Sequence, residues 1–167
     1  MKLYVLRHGI AVMRNDLDVH SDSERKLTPR GRRQLHQTAA ALKKMGVRFD
    51  LIFSSPYLRA KQTAEIVAAS LKLKKRLKFS EALAPDGSPK DLVREVSESS
   101  PAPGSVLLVG HEPYLSSLIS LLTTGGTELA MDFKKGGLCK LETEALGFAR
   151  CATLAWLLTP KQMKLMR

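Results

Sequence analysis

Leu3, Tyr4, Val5 and Leu6 form an unbroken apolar run of β character, too short for a helical stripe, and predict a buried strand that stops at Arg7-His8-Gly9. The stretch AVMRNDLDVHSDSERK (11–26) has no period and predicts no element. Thr28-Pro29 then reads as an N-cap followed by proline at the first helical position. Leu35, Ala39, Leu42 and Met45 recur at helical spacing until Gly46 ends the run. DLIFS (50–54) predicts a second strand, and Ser55-Pro56 repeats the cap-and-proline opening of a helix whose buried stripe is Ala60, Ala64, Val67 and Leu71. RLKFS (76–80) predicts a short strand, followed by the APDGSP turn and a helix around 89–98. SPAPG breaks the chain. SVLLVGH (105–111) is a continuously apolar strand ending on a histidine, and His111-Glu112-Pro113 opens a helix that buries Leu115, Leu118, Ile119 and Leu122. GLCKLE (137–142) and CATLAWLLT (151–159) close the series as strands, the first polar enough to be expected at a sheet edge.

Strands alternating with helices predict an α/β fold with a mostly parallel central sheet covered on both faces, a three-layer α/β/α arrangement. No repeat or linker divides the chain, so residues 1–167 are expected to form a single domain, long enough to bury a sizeable core. Cys139 and Cys151 match no zinc or redox spacing, and two thiols suit a reducing compartment. With no signal-like N-terminus and no run long enough to span a bilayer, the expectation is a cytoplasmic protein without membrane association. The net charge of +11 changes the picture more, because it implies an anionic partner: a phosphorylated substrate, an acidic protein, nucleic acid or a lipid surface. RGRR (30–33) and LKLKKRLK (71–78) carry much of it, and a solvated helix face with a basic loop explains them equally well. Aromatic residues at 5% argue against a base-stacking platform for nucleic acid.

Candidate chemistry gathers at strand ends. Arg7-His8 follows the first strand, SSPYLRA the second and Gly110-His111 the fourth, and in an open α/β sheet the ligand crevice lies beyond the carboxyl ends of the strands. An Arg-His pair alone is more often just a strand ending at the surface. Arg59, in the first turn of its helix, can reach the same edge, where the helix N-terminus adds free N–H groups and a positive dipole end. Two arginines and two histidines converging on one edge describe an anion pocket, and planar guanidinium groups suit the oxygens of a phosphoryl group.

LRHG, LTPRGRRQ, SSPYLRAKQTAE and VGHEPYLS, in this order, resemble the motifs of the histidine phosphatase superfamily, whose fold is called phosphoglycerate mutase-like. The short length and the forms SDSERKLTPRG, LAPDG and VGHEP resemble its small bacterial branch, the SixA-like phosphohistidine phosphatases. The resemblance implies that His8 is a nucleophile that becomes transiently phosphorylated, that Arg7 and Arg59 clamp the phosphoryl oxygens, and that His111 completes the pocket as a donor. It implies neither a cofactor nor a metal. Chemistry agrees: a neutral imidazole attacks phosphorus without a separate base, provided its second nitrogen keeps a proton and a fixed partner, most simply a nearby backbone carbonyl. Relatives that cleave esters place a glutamate after the third strand to protonate the leaving group. Here Glu81 is the nearest carboxylate, as a tentative acid or equally as a solvated rim residue; Glu112 is another candidate that the helix dipole also explains. Arg25 and Ser23 are expected to border the pocket, and His20 and His36 to be solvated. Trp156 and the methionines read as packing.

The resulting expectation is a phosphatase with a phosphohistidine enzyme intermediate, acting on phosphohistidine carried by a signalling protein such as a phosphotransfer domain. The alternatives are a small-molecule phosphomonoester phosphatase or mutase, and a non-catalytic basic binding module.

Overall fold

The computed structural model describes residues 1–17 and 19–167. Six strands, β1 (Lys2–Arg7), β2 (Leu51–Ser54), β3 (Leu77–Phe79), β4 (Ser105–Gly110), β5 (Leu138–Glu142) and β6 (Thr153–Leu158), form one sheet in the order β3-β2-β4-β1-β5-β6. The pairs β3–β2, β2–β4 and β4–β1 are parallel, and β1–β5 and β5–β6 are antiparallel. Among the described residues, five α-helices pack around the sheet: α1 (Pro29–Lys44), α2 (Leu58–Ser70), α3 (Pro89–Ser97), α4 (Tyr114–Thr124) and α5 (Pro160–Leu165).

The apolar strands are buried on both faces, and their two-residue period sorts them. Leu3 and Val5 of β1, Leu51 and Phe53 of β2, and Val106 and Leu108 of β4 enter a core with Leu92, Val96, Leu115 and Leu118 of α3 and α4. Tyr4, Leu6, Ile52, Leu107 and Val109 point the opposite way, against Leu42 of α1, Ala64 and Val67 of α2 and Met163 of α5. This is the three-layer, mostly parallel arrangement expected. Thr28 caps α1 by accepting from the Gly31 N–H at 3.0 Å, as its Thr-Pro signature predicts.

Three details differ from the sequence expectations. β5 is not an edge: it lies between β1 and β6 because Leu138, Cys139 and Leu141 are fully buried and outweigh the polar Lys140 and Glu142. The true edges are β3 and β6. Ser55 does not cap a helix either, since α2 begins at Leu58 with Tyr57 before it and no side-chain cap; the Ser55 hydroxyl instead accepts from the Tyr57 N–H at 3.2 Å. Finally, Thr159-Pro160 opens the short α5, with Thr159 and Gln162 forming a reciprocal cap. The aperiodic stretch after β1 contains a bridge between Ala11 and Leu27 and a 3₁₀ turn at Asp22–Glu24.

Two glycines shape the end of β1. At Gly31, a Cβ would fall 2.2 Å from the Ile10 carbonyl oxygen, so only glycine lets α1 approach the chain leaving the strand. Gly136 has φ +74° and directs its N–H at the carbonyls of both Arg7 and His8, at 3.1 and 3.0 Å.

Candidate active site

The register of the sheet sets the two histidines side by side. Arg7 of β1 pairs with Gly110 of β4, so the residues that follow, His8 and His111, leave neighbouring strands together, and their ring centroids lie 5.1 Å apart. The His8 N–H donates to the Gly110 carbonyl at 3.0 Å, which extends the ladder by one rung. Arg59 enters from the first turn of α2 and is 4% exposed, while His8 and His111 are buried at 6% and 1%.

The His8 ring is held in one tautomer. Arg59 Nε–H, which can only donate, lies 3.3 Å from His8 Nε2, so Nε2 is the acceptor and carries the lone pair. The proton is therefore on Nδ1, which donates to the Gly9 carbonyl at 2.7 Å. Gly9 is fixed in turn, because its N–H donates to Thr63 Oγ1 at 3.1 Å and that hydroxyl donates to the Arg59 carbonyl at 2.7 Å. Thr63 stands one turn after Arg59 on α2, so a single helix face positions both the guanidinium and the backbone that orients the His8 ring.

Both imidazoles are held neutral. Burial, against the opposing pull of the Gly9 carbonyl and with the help of His111, Arg59 and Arg7, lowers the His8 pKa to about 3. Burial and the neighbouring Arg59 lower that of His111, also to about 3. His111 Nε2 is hydrogen-bonded to Ser55 Oγ at 2.8 Å, and Tyr57 packs edge-on against its ring at 5.4 Å. Among the described residues, His111 Nδ1 and Arg7 Nε are buried without a hydrogen-bond partner. Arg7 is anchored by its other end, Nη1 donating to the Phe133 carbonyl at 2.6 Å.

Asp22 supplies the countercharge. Its carbonyl and carboxylate accept from Arg59 Nη1 and Nη2 at 2.6 and 2.8 Å, and the carboxylate also pairs with Arg25 at 3.0 Å and Arg14 at 2.9 Å. The arginines hold the Asp22 carboxyl well below the usual carboxylate range, outweighing its burial, so Asp22 is a fixed anion rather than a proton donor.

Of the residues named from sequence, Arg7, His8, Arg59 and His111 stand together, and Arg25 and Ser23 lie in the adjoining loop. Glu81 is exposed at the head of a 3₁₀ turn, Glu81–Leu83, in a surface depression shared with Asp86, Asp91 and Glu95. Glu112 accepts from the N–H and hydroxyl of Ser116, as a carboxylate at the opening of α4. His20 and His36 are exposed. Sequence reasoning missed Asp22, Ser55 and Thr63. For Thr63 there was a signal, a hydroxyl next to Ala64 in a helical stripe that is otherwise alanine and valine; Asp22 lies in a stretch with no period to read.

The arrangement is a neutral, oriented imidazole nitrogen beside guanidinium groups in a buried site, which can serve as apparatus for phosphoryl transfer. Comparison with known proteins agrees. The sequence profile of the histidine phosphatase superfamily (branch 1) matches residues 3–84. An uncharacterized protein of Picosynechococcus sp. is 37% identical over 146 residues, 87% of each chain. The phosphohistidine phosphatase SixA of Escherichia coli (strain K12) is 34% identical over 129 residues, 76% of this chain and 77% of its own. The solved structure of the protein histidine phosphatase SixA complexed with tungstate superimposes with a TM-score of 0.81 at 27% identity, covering 96% of this chain and 98% of that one. Sequence, fold and pocket thus point the same way, and the chain belongs to the histidine phosphatase superfamily, as a SixA-like phosphatase.

Proposed function

We propose that this phosphatase works through a phospho-His8 intermediate and removes phosphoryl groups from phosphohistidine on a protein. The observation that carries the reading is the His8 ring: Nδ1–H tied to the Gly9 carbonyl and an unprotonated Nε2 beside the Arg59 guanidinium. In the first step Nε2 attacks phosphorus, the bond from phosphorus to the substrate nitrogen breaks, and its electron pair leaves with that nitrogen, which takes a proton from solvent. In the second step water attacks phospho-His8, the new P–N bond breaks, Nε2 recovers its lone pair, and inorganic phosphate departs with the oxygen of water. Arg7 Nε and the Arg59 guanidinium stabilise charge on the phosphoryl oxygens in both steps. A Ser55 hydroxyl donating to His111 Nε2 leaves the proton on Nδ1, available as a further donor.

The leaving group supports phosphohistidine over an ester. An imidazole is far less basic than an alkoxide and departs with little help, so the reading asks no acid of the exposed Glu81. The named activity of the SixA relative agrees.

The test is intact mass after mixing wild type and His8→Ala with phosphoramidate, quenched at alkaline pH. A phosphoryl adduct on wild type alone, with phosphate released on standing, supports the intermediate; labelling of both proteins, or of neither, overturns it. Faster turnover of a phosphohistidine peptide than of the matching phosphoserine peptide supports the substrate class, and the reverse order refutes it.

A further inference from the structure

A second concave surface lies outside the pocket. Between α1, α2 and β3 runs a groove of about 550 Å³ whose floor is Ile66, Ala69, Leu77 and Phe79. Phe79 is 47% exposed, at the end of an edge strand that nothing covers on its outer side among the described residues, and Lys61 Nζ sits 5.5 Å from its ring centroid. The groove opens at the catalytic edge of the sheet. Phe79 is the register partner of Ser54, the residue before the Ser55 that holds His111, and Lys61 follows Arg59 by two residues on α2.

The walls are basic. Arg32 of α1 and Lys74 line the groove with only Glu65 opposing them, and Lys61 and Lys78 stand exposed alongside. The helix positions make this charge informative. Arg30, Arg32 and Arg33 crowd the first turns of α1, where there is no acidic residue and where the helix dipole makes positive charge unfavourable. The positive charge at this exposed helix end, with no acidic residue in its first turn, is open to an external anion.

From these observations, and resting on the reading that the substrate is a phosphorylated protein, we propose that the groove docks an acidic segment of that protein, with one large apolar side chain seated on Phe79 and Ile66 and carboxylates facing Arg32 and Lys74. The pocket then recognises the phosphoryl group and the groove selects its carrier. With Phe79 as its one Phe, Tyr or Trp among the described lining residues, the groove lacks the succession of stacking surfaces that single-stranded nucleic acid uses, whereas a leucine fits its aliphatic floor.

The test is binding of two fluorescently labelled, unphosphorylated peptides, one with glutamates flanking a leucine and one with serines and glycines around the same leucine, by anisotropy. Wild type is expected to prefer the acidic peptide by about tenfold at low salt, with the preference fading as salt rises. Arg32→Glu combined with Lys74→Glu should abolish the preference, and Phe79→Ala should weaken binding of the acidic peptide severalfold. Phosphoramidate hydrolysis should be unchanged in all variants, which also reports that they fold. Equal binding of the two peptides to wild type, or a preference that survives the double charge reversal, overturns the proposal. So does labelled single-stranded DNA that binds more tightly than the acidic peptide and loses affinity in the charge-reversal variant. Because the peptides carry no phosphate, this result is independent of whether phosphohistidine is the substrate.

Discussion

Replacing Asp22 by alanine removes the carboxylate that, among the described residues, pairs with Arg59, and its cost follows from the contacts. The Asp22 side chain is 23% exposed and that of Arg59 5%, so their 2.8 Å pair is largely shielded from water. Breaking a buried pair from one side costs about 3–5 kcal/mol. Here Arg59 keeps the Asp22 carbonyl as partner for Nη1, and the Arg14 bridge, with an arginine 77% exposed, contributes little. A loss of about 2 kcal/mol is therefore expected, which for a chain of this size lowers Tm by roughly 4–8 °C. The pH dependence identifies the source. The carboxyl pKa is depressed in the folded state, so its stabilisation is complete above the unfolded value near ~4 and is lost as pH falls below that. The assay is thermal unfolding of wild type and Asp22→Ala between pH 7 and pH 3. The difference in Tm should stay flat from pH 7 to pH 5 and shrink below pH 4. A difference under about 1 °C at pH 7, or one that already shrinks between pH 7 and pH 5, would refute the assignment.

Thr63→Val should destabilise the protein by about 1–3 kcal/mol in chemical denaturation, because the buried Gly9 N–H loses its acceptor, whereas Thr63→Ser should recover most of the loss. Because His8 and His111 have pKa values lowered to about 3, against an unfolded value near ~6.5, the stability contributed by their neutral rings is full above pH ~6.5 and declines as pH falls toward 3. In the folded enzyme, NMR signals of these two rings should stay constant from pH 8 to pH 5; a midpoint near ~6.5 for His8 would contradict the burial argument. Gly31→Ala should lower both stability and phosphoramidate turnover, since the added methyl drives α1 off the Ile10 carbonyl; wild-type values in both measurements would refute the close approach.

The parts legible in the sequence were those with a period or a cap. The apolar runs of β1 and β4 and the stripes of α1, α2 and α4 are local patterns, and Arg7, His8, Arg59 and His111 follow once those elements share a parallel sheet. Ser55 was misread because Ser-Pro satisfies the cap rule locally while its hydroxyl is recruited by His111, 56 residues away. β5 was misplaced because alternation reports exposure of a face, whereas edge or interior position is decided by a partner strand elsewhere in the chain. α5 was missed although Thr159-Pro160 repeats the signature read correctly at Thr28-Pro29. Asp22 was invisible because its role consists of three arginines that come together only in the folded chain.

The anchoring of Arg7 by the Phe133 carbonyl, and of the end of β1 by Gly136, bears on the order in which the molecule is made. Arg7 and His8 lie at the end of β1, yet the Phe133 carbonyl that anchors Arg7 comes 126 positions later in the chain, and β5 follows it. Until then β1 has no β5 beside it and offers an open edge to any other strand. Contacts this distant in sequence slow folding and prolong the exposure of unpaired strands. A nascent chain that has passed His111 but not Phe133 therefore already holds Arg7, His8, Arg59 and His111, while the carbonyl that anchors Arg7 and the strand that pairs beside β1 are still to come.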